Sequence, residues 1–486
     1  MLPDTPIEIV LFILVYTLAF FTSIRVIMDT RNAAKALGYL LLVITIPVIG
    51  SFLYFSLGVN YRKKRIYSKK LIANDWLWQK IKQRIISSTN QILEQKKNLI
   101  GGQEDLIKLL LNDSLEPLSQ NRVTLLINGE RKFPEVISAL ENAKHFIHLE
   151  YYIYEDNAIG YQIRDILIRK ARAGVIVRFI YDDFGSKDLK NKFLNPMVEA
   201  GVEVYPFFKV YFALLASRIN YRNHRKIIVT DCQVGFVGGI NVSDRYINNG
   251  DPTKLFWRDT HVKIEGPAVL SLQYHFLADW NFCSGQQVAP DETMFLPYQQ
   301  LSKGDSLVQV VASGPDYPRQ SIMLCYFTAI INAKEKVYIT SPYFIPNNSI
   351  NDAIRKAALS GKDVRLLVPG ISDSTVVNAA SQSYFDELLE CGVKIYLYKK
   401  GFVHAKTIIV DDALAIVGTA NMDFRSFELN FEISAVIYGQ EPCGELTRVF
   451  LDDLEHSDLI SFEAWRHRSK PRQWLEKAAR LLSPIL

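Results

Sequence analysis

The sequence predicts an α/β protein in which an N-terminal two-helix transmembrane hairpin precedes two duplicated halves, each a mixed sheet covered by helices. Two long uncharged stretches near the start of the chain predict the hairpin. Segments that recur later in the chain predict the duplication. Within each repeat, helix-like segments alternate with short β-branched and aromatic runs, which is the pattern of a sheet covered by helices.

Composition limits the kinds of protein that this chain can be. It has 486 residues, of which 49% are hydrophobic, so it can bury a large core and is not disordered. The 56 Lys and Arg against 51 Asp and Glu give a net charge of only +5, which argues against a nucleic-acid binder. Five scattered cysteines without a CxxC pair argue against a disulfide scaffold or a Cys-rich zinc site.

The predicted hairpin consists of two apolar stretches. Residues 9–24 carry no charge, and residues 36–61 are a second uncharged run, long enough for a hydrocarbon core of about 30 Å. A cleaved signal peptide followed by a core helix is the alternative, but a basic start and a cleavage site are missing. More Lys and Arg follow the second run than lie between the two, which predicts a cytoplasmic C-terminal body.

The rest of the chain repeats itself. The segment Ala139–Lys144 precedes one apolar run, and the similar segment Ala329–Lys334 precedes another 190 residues later. A polar stretch near residues 285–306, with two Pro and two Gly, separates the two halves. The domains expected from these features are the hairpin at 1–60, a helical connector at 61–120, a first half at 121–290, a linker at 291–306 and a second half at 307–486.

Each half contains the same pattern of polar residues. His, Lys and Asp lie at positions i, i+2 and i+7, and an Asn follows ten residues after the Asp. One cassette lies in each half, so chance is a poor explanation. The first cassette holds His224, Lys226, Asp231 and Asn241, and the second holds His404, Lys406, Asp411 and Asn421.

These residue types in this spacing suit a phosphodiester. In a strand, His and Lys at i and i+2 point to the same face. The ammonium group disfavours a metal ion beside the imidazole, but it offsets the charge of phosphate oxygens. Two histidines allow one neutral imidazole to attack phosphorus while a protonated one releases the leaving oxygen. We therefore expect phosphoryl-group transfer without a cofactor.

The motif HxK(x)4D followed by G[GST]xN resembles the phospholipase D superfamily over about residues 120–486. The resemblance implies that both histidines share one site, without metal, with His224 as nucleophile and His404 as general acid and base. It also implies supporting roles for several other residues. Lys226, Lys406, Asn241 and Asn421 would bind phosphate, Asp231 and Asp411 would support the site, and Asp259 and Glu432 would orient the histidines.

Similarity over nearly the whole length points further, to the bacterial cardiolipin synthases. It is carried by the N-terminal apolar segments, by WRDTHVKIEGPAV after the first cassette, and by VGTANMDFRSFELNFE in the second. The resemblance implies phosphatidyl transfer between two phosphatidylglycerol molecules, giving cardiolipin and glycerol. It also implies a multi-pass protein of the bacterial cell membrane, with anionic lipid and no nucleic acid as partner.

Other readings stay open at this point. The cassettes would also serve a phospholipase D that hydrolyses lipid, or one that transfers phosphatidyl groups to another alcohol. A membrane-tethered nuclease and a non-catalytic scaffold are less favoured, because the net charge is small and both cassettes are intact. Residues 206–219 and the basic C-terminal segment could each contact a membrane surface or pack on the body.

Overall fold

The structure is a computed structural model that describes residues 5–30, 33–55, 75–208, 221–251, 253–288, 304–372, 374–481 and 483. The chain divides into two compact units, of which the first holds the N-terminal helices and the second holds all of the strands. Three predicted features lie outside the described residues. They are the basic segment 62–70, most of the segment 206–219, and residues 291–303 of the linker.

The elements are numbered in chain order. The helices are α1 Pro6–Asp29, α2 Ala33–Thr45, α3 Pro47–Leu53, α4 Asp75–Gln95, α5 Lys97–Ile100, α6 Glu104–Ser114, α7 Asn128–Asn142, α8 Ala158–Arg172, α9 Asn191–Glu199, α10 Val269–Ser284, α11 Ser321–Ile331, α12 Asn348–Leu359, α13 Thr375–Gln382, α14 Phe385–Glu390, α15 Phe424–Glu428, α16 Gln440–Glu455, α17 Phe462–Arg466 and α18 Lys470–Arg480. The strands are β1 Ser119–Ile127, β2 Phe146–Tyr151, β3 Ile176–Tyr181, β4 Glu203–Pro206, β5 Lys226–Thr230, β6 Val234–Gly238, β7 Phe256–Arg258, β8 Thr260–Glu265, β9 Ser306–Ser313, β10 Lys336–Thr340, β11 Phe344–Ile345, β12 Asp363–Pro369, β13 Lys394–Tyr398, β14 Gly401–Val403, β15 Thr407–Val410, β16 Leu414–Gly418, β17 Met422–Asp423, β18 Glu432–Tyr438 and β19 Ser457–Leu459.

Helix α1 has the length and composition of a membrane span. Its 24 residues include an 18-residue window with a mean hydropathy of 2.3, and most of its apolar side chains are exposed. Thr5 and Glu8 form a capping box at its start, which satisfies two backbone amides of the first turn. At about 1.5 Å per residue, the helix is long enough for a hydrocarbon core of about 30 Å.

The second apolar run does not form one continuous helix. It is divided into α2 and α3 at Pro47, which lacks an amide hydrogen and clashes with a preceding carbonyl in a helix interior. Helices α2 and α3 are close at this point, since a Cβ placed on Gly50 would lie 2.3 Å from the carbonyl oxygen of Leu42. The predicted two-helix transmembrane hairpin is therefore not confirmed. Within the described residues, only α1 is long and apolar enough to cross a membrane.

The second unit is built on one mixed sheet of 15 strands that passes through both halves. From the centre outwards, the first half follows the order β1-β8-β6-β5-β2-β3-β4, and the second half follows β9-β18-β16-β15-β10-β12-β13-β19. Each half combines antiparallel strands near the centre with three parallel strands towards the edge. The matching orders confirm the duplicated α/β halves that the sequence predicts.

The two halves meet along the middle of this sheet. Strands β1 and β9 pair antiparallel, with Ser119 opposite Val308. One buried hydrophobic core contains strand residues of both halves, including Val237 and Val262 of the first and Ile409 and Ile433 of the second. Burying this shared core is the main force that holds the halves together.

The C-terminal helix α18 packs on the second half. Glu476 and Ala479 are buried, and Glu476 forms an ion pair with Arg468 at 2.7 Å. Trp474 and Leu475 lie on the exposed side of the same helix. Of the two possibilities that the sequence left open for this segment, the structure therefore has the helix packed on the body.

Asp231 and Asp411 lie at equivalent tight turns, where both have a positive φ, 52° and 53°. They follow β5 and β15, whereas the cassette histidines precede those strands, so the aspartates lie at the far end from the histidines. Neither aspartate lines the cavity of the histidines, so the support for the site that the sequence predicts would act through the backbone. Each carboxylate instead accepts hydrogen bonds of 2.7–2.9 Å from three successive backbone amides, those of Lys144, His145 and Phe146 in one half and Lys334, Glu335 and Lys336 in the other.

We expect Asp231→Ala to lower the free energy of unfolding by about 3 kcal/mol, because it leaves three backbone amides without their acceptor at about 1 kcal/mol each. The measurement is a urea titration of the detergent-solubilised protein. Asp188→Ala is the control, because Asp188 is an exposed aspartate of the same half. Equal stability of the two variants would contradict the structural role of Asp231.

Candidate active site

The two cassette histidines line a single cavity of about 370 Å³. His224 lies two residues before β5, and His404 lies three residues before β15, which is the equivalent strand of the other half. Both side chains are largely buried, with 12% and 11% of their surface exposed. The wall also includes aromatic, amide, basic, aliphatic and acidic side chains, among them Tyr152, Tyr246, Trp257, Asn241, Asn421, Arg222, Arg245, Arg425, Ile345, Val377 and Asp423.

The backbone of each histidine is held by the opposite half. The amide of His224 donates to the carbonyl of Phe431 at 2.9 Å, and the amide of His404 donates to the carbonyl of Arg258 at 2.7 Å. Just before His404, β14 pairs in parallel with β7 of the first half. These short pairings between halves fix where each imidazole enters the cavity.

Each histidine side chain is also held by a carboxylate of the opposite half. Nδ1 of His224 lies 3.0 Å from Oε1 of Glu432, and Nδ1 of His404 lies 2.7 Å from Oδ2 of Asp259. Both carboxylates are completely buried. A carboxylate only accepts, so Nδ1 carries the hydrogen in each ring and Nε2 is left for the cavity. The structure thus brings Asp259 and Glu432 to the histidines, each to the histidine of the other half.

The two carboxylates are accommodated differently. A Cβ on Gly239 would lie 2.1 Å from Oδ1 of Asp259, so only glycine leaves room for this carboxylate. Thr419 occupies the equivalent position in the second half, and its hydroxyl donates to the longer Glu432. Asn430 adds a further hydrogen bond to Glu432 at 3.2 Å. Glycine at the first position therefore leaves room for the Asp259 carboxylate, and threonine at the second donates a hydrogen bond to the Glu432 carboxylate.

Both lysines are buried next to the histidines. Nζ of Lys226 donates to the carbonyl oxygen of His224 at 2.8 Å, and Nζ of Lys406 donates to that of His404. Burial lowers the pKa of Lys226 to about 7, with Glu432 raising it and the nearby Lys406 lowering it further. With a pKa of about 7, Lys226 is only partly protonated near neutral pH, and a bound phosphate would favour its ammonium form.

Both imidazoles have lowered pKa values. Burial lowers the pKa of His224, and Glu432 opposes this effect in part. Burial and then Lys406 lower the pKa of His404 to about 3, against the raising effect of Asp259. Both rings are therefore neutral at pH 7 in the site without substrate. An anion between them would raise these pKa values by favouring the charged form.

The predicted asparagines also lie in the cavity wall. Asn241 accepts from the amide of Ile153 at 3.2 Å and donates to the hydroxyl of Tyr246 at 2.9 Å. Asn421 donates to Asp423 at 3.1 Å. Of the predicted site residues, the structure brings both histidines, asparagines, lysines and orienting carboxylates together. It leaves the two motif aspartates outside.

Arginines are the cavity residues that sequence reasoning missed. Arg222 lies two residues before His224, and Arg245 and Arg425 each lie four residues after a motif asparagine. The repeated Arg four residues after each motif asparagine was the available signal for Arg245 and Arg425, and Arg222 has no such counterpart in the second half. The complete arrangement presents two imidazole nitrogens and several basic side chains to one cavity, which suits transfer of an anionic phosphorus group. Among the described residues, no group of three or more His, Cys, Asp or Glu could hold a metal ion.

Comparison with known proteins agrees with this arrangement. The family described as "Cardiolipin synthase, PLD-like domain" matches residues 136–280 and 326–454, and "Phospholipase_D-nuclease N-terminal" matches residues 17–58. A cardiolipin synthase of Alkalihalophilus pseudofirmus is 43% identical over 97% of this chain and 93% of its own length. Cardiolipin synthase 2 of Bacillus anthracis is 42% identical over 96% of this chain and 90% of its own.

A solved structure has the same fold at low sequence identity. Phosphatidylserine synthase of Haemophilus influenzae superposes with a TM-score of 0.59 and 15% identity, over 79% of this chain and all of that one. This likeness concerns the fold alone. The family matches and the relatives cover both cassettes and nearly the whole length. The chain therefore belongs to the cardiolipin synthase family of phospholipase D-like enzymes.

Proposed function

We propose that this protein is a phosphatidyltransferase that converts two phosphatidylglycerol molecules into cardiolipin and glycerol. The observation that carries the proposal is the pair of carboxylate-bound histidines, one from each half, on a single cavity. Relatives known as cardiolipin synthases, which match this chain over 90–93% of their own length, support the choice of lipid. No cofactor enters the proposed reaction.

In the first step, Nε2 of His224 attacks the phosphorus of the donor lipid. A phosphorus–nitrogen bond forms and the bond from phosphorus to the glycerol oxygen breaks. His404, protonated when the anionic substrate is bound, gives its Nε2 proton to that oxygen, and glycerol leaves. Glu432 stabilises the positive charge that develops on His224, and Lys226 and Lys406 offset the charge of the phosphate oxygens.

In the second step, His404 is neutral and acts as base. It takes the proton of the terminal hydroxyl on a second phosphatidylglycerol, whose oxygen attacks phosphorus. The phosphorus–nitrogen bond breaks, His224 is regenerated and cardiolipin is released. One phosphodiester replaces another, so the exchange needs no nucleotide to drive it. Asn241 and Asn421 lie where they can hold the phosphate oxygens in both steps.

We place the enzyme at the bacterial cell membrane as a multi-pass protein, with the body on the cytoplasmic side. Helix α1 supports an anchor in the bilayer, and the excess of Lys and Arg in residues 62–70 supports this orientation. A site at the bilayer also favours a lipid acceptor over water, because both lipids are concentrated there.

The direct test is analysis of lipid products. Purified protein in detergent micelles receives phosphatidylglycerol alone, and we expect equal amounts of cardiolipin and free glycerol. Phosphatidic acid in place of cardiolipin would identify a hydrolase. Absence of any lipid turnover would contradict the proposal and make single-stranded DNA the next substrate.

We expect a burst experiment to distinguish the roles of the two histidines. A phosphatidyl ester of p-nitrophenol has a leaving group that needs no proton, so His404→Ala should release one p-nitrophenolate per site and then stop. His224→Ala should give no burst, because the nucleophile is missing. Rapid-mixing absorbance measures the burst, and mass spectrometry locates the phosphohistidine. A burst in His224→Ala instead would reverse the two roles.

We expect the rate to depend on pH in a specific way. Because the pKa values of both free histidines are lowered, the singly protonated form becomes scarcer as pH rises, and kcat/KM should fall on the alkaline side. The bound phosphodiester raises the pKa of His404, so kcat should fall at a higher pH than kcat/KM. Initial rates between about pH 5 and 9 measure both. If kcat and kcat/KM fell at the same alkaline pH, the assignment of His404 as the general acid would be contradicted.

We expect Gly239→Ala to reduce kcat about a hundredfold, because the new Cβ displaces Asp259 from His404. Gly444→Ala is the matched control. Gly444 lies in helix α16 with open space at its Cβ, so alanine there should leave turnover unchanged. Steady-state cardiolipin synthesis by both variants is the measurement. Normal turnover of Gly239→Ala would contradict the role of Asp259 in orienting His404.

A further inference from the structure

The cavity is symmetric in its histidines but not in its charge. The position two residues before the cassette histidine holds Arg222 in the first half and Phe402 in the second, and both line the cavity. Four residues after the motif asparagine, the duplication places Arg245 and Arg425. One arginine is therefore added next to His224, whereas an aromatic ring takes its place next to His404.

The two equivalent arginines also differ in their surroundings. Arg245 forms an ion pair with Glu155 and lies 5.3 Å from the ring of Trp257, so its charge is largely balanced. Arg425 is half-buried and lines the same cavity as Arg222. Burial lowers the pKa of Arg222 most, Asp182 and Tyr152 raise it, and Arg425 lowers it further. The cavity wall therefore holds the guanidinium groups of Arg222 and Arg425, with the carboxylate of Asp423 also on the wall.

Arg222 has unused hydrogen-bonding capacity. It is 4% exposed, and within the described part of the chain neither of its terminal nitrogens has a hydrogen-bond partner. The carboxylate of Asp182 lies 4.0 Å away, and its oxygens accept from the backbone amides of Phe184, Gly185 and Asn223. A buried cation with unsatisfied donors on a cavity wall is stabilised by an anionic ligand.

The proposed reaction supplies such an anion. The donor phosphate occupies the space between the histidines, where Lys226 and Lys406 offset its charge. The acceptor lipid carries a phosphodiester of its own, and the product carries two. A planar guanidinium binds two phosphate oxygens at once, which makes arginine suited to this second group.

We propose that Arg222, together with Arg425, binds the phosphodiester of the acceptor lipid, so that these arginines select an anionic acceptor over neutral alcohols and water. This inference rests on the proposed function, and it assigns a specificity role to residues outside the two cassettes. By binding the phosphodiester of the acceptor lipid, Arg222 would place that lipid's terminal glycerol hydroxyl next to the phosphohistidine intermediate. It takes no part in forming that intermediate.

The test is a competition between two acceptors. The full-length enzyme in micelles of phosphatidylglycerol receives 1-butanol, and both cardiolipin and phosphatidylbutanol are quantified. We expect Arg222→Gln to lower the ratio of cardiolipin to phosphatidylbutanol at least about tenfold, as for a lost hydrogen bond to a charged group. Phosphatidylbutanol formation should stay within about threefold of the unaltered enzyme, because the donor step is intact.

Two further variants complete the test. Arg178→Gln is the control, since Arg178 is a largely buried arginine of the same half that pairs with Glu203 on the sheet. Its product ratio should not change. If Arg222→Gln does not fold, Arg425→Gln carries the same expectation.

Two results would overturn the inference. They are an unchanged product ratio, and an equal fall of both products, which would assign Arg222 to the donor. Unaltered enzyme that makes phosphatidylbutanol but no cardiolipin would instead refute the proposed function itself.

Discussion

The arrangement of the site depends on one exchange of hydrogen bonds. Glu432 of the second half holds His224 of the first, and Asp259 of the first half holds His404 of the second. Neither half contains a complete imidazole–carboxylate pair. Because a histidine without its carboxylate loses both its tautomer and its orientation, the chemistry requires both halves in their final positions.

The fold meets this requirement with a continuous sheet. Pairing of β1 with β9 and the shared hydrophobic core leave little freedom for one half to move against the other. The short pairing of β7 with β14 then places His404 within 2.7 Å of Asp259. The buried carboxylates are expensive to desolvate, and their hydrogen bonds to the imidazoles, Thr419 and Asn430 offset that cost.

Sequence reasoning could predict what is periodic and local. The cassettes, the duplication and the mixed sheet follow from spacing, and the roles of Asp259 and Glu432 follow from a resemblance. It could not show that these carboxylates act on the opposite half, because that depends on how two similar sheets dock. The sequence predicts one uninterrupted second span, yet the helix ends at Thr45 and another begins at Pro47, because proline has no amide hydrogen to donate and clashes with a preceding carbonyl.

Because each histidine is oriented by a carboxylate of the other half, the order in which the two halves are translated matters. Translation completes His224 and its lysine more than two hundred residues before Glu432 leaves the ribosome. A nascent chain therefore carries the His224 imidazole before the carboxylate that orients it has been made. If His224 is the nucleophile, as proposed, attack on lipid requires strand β18, which carries Glu432, so we expect a chain that ends before β18 to be inactive on lipid.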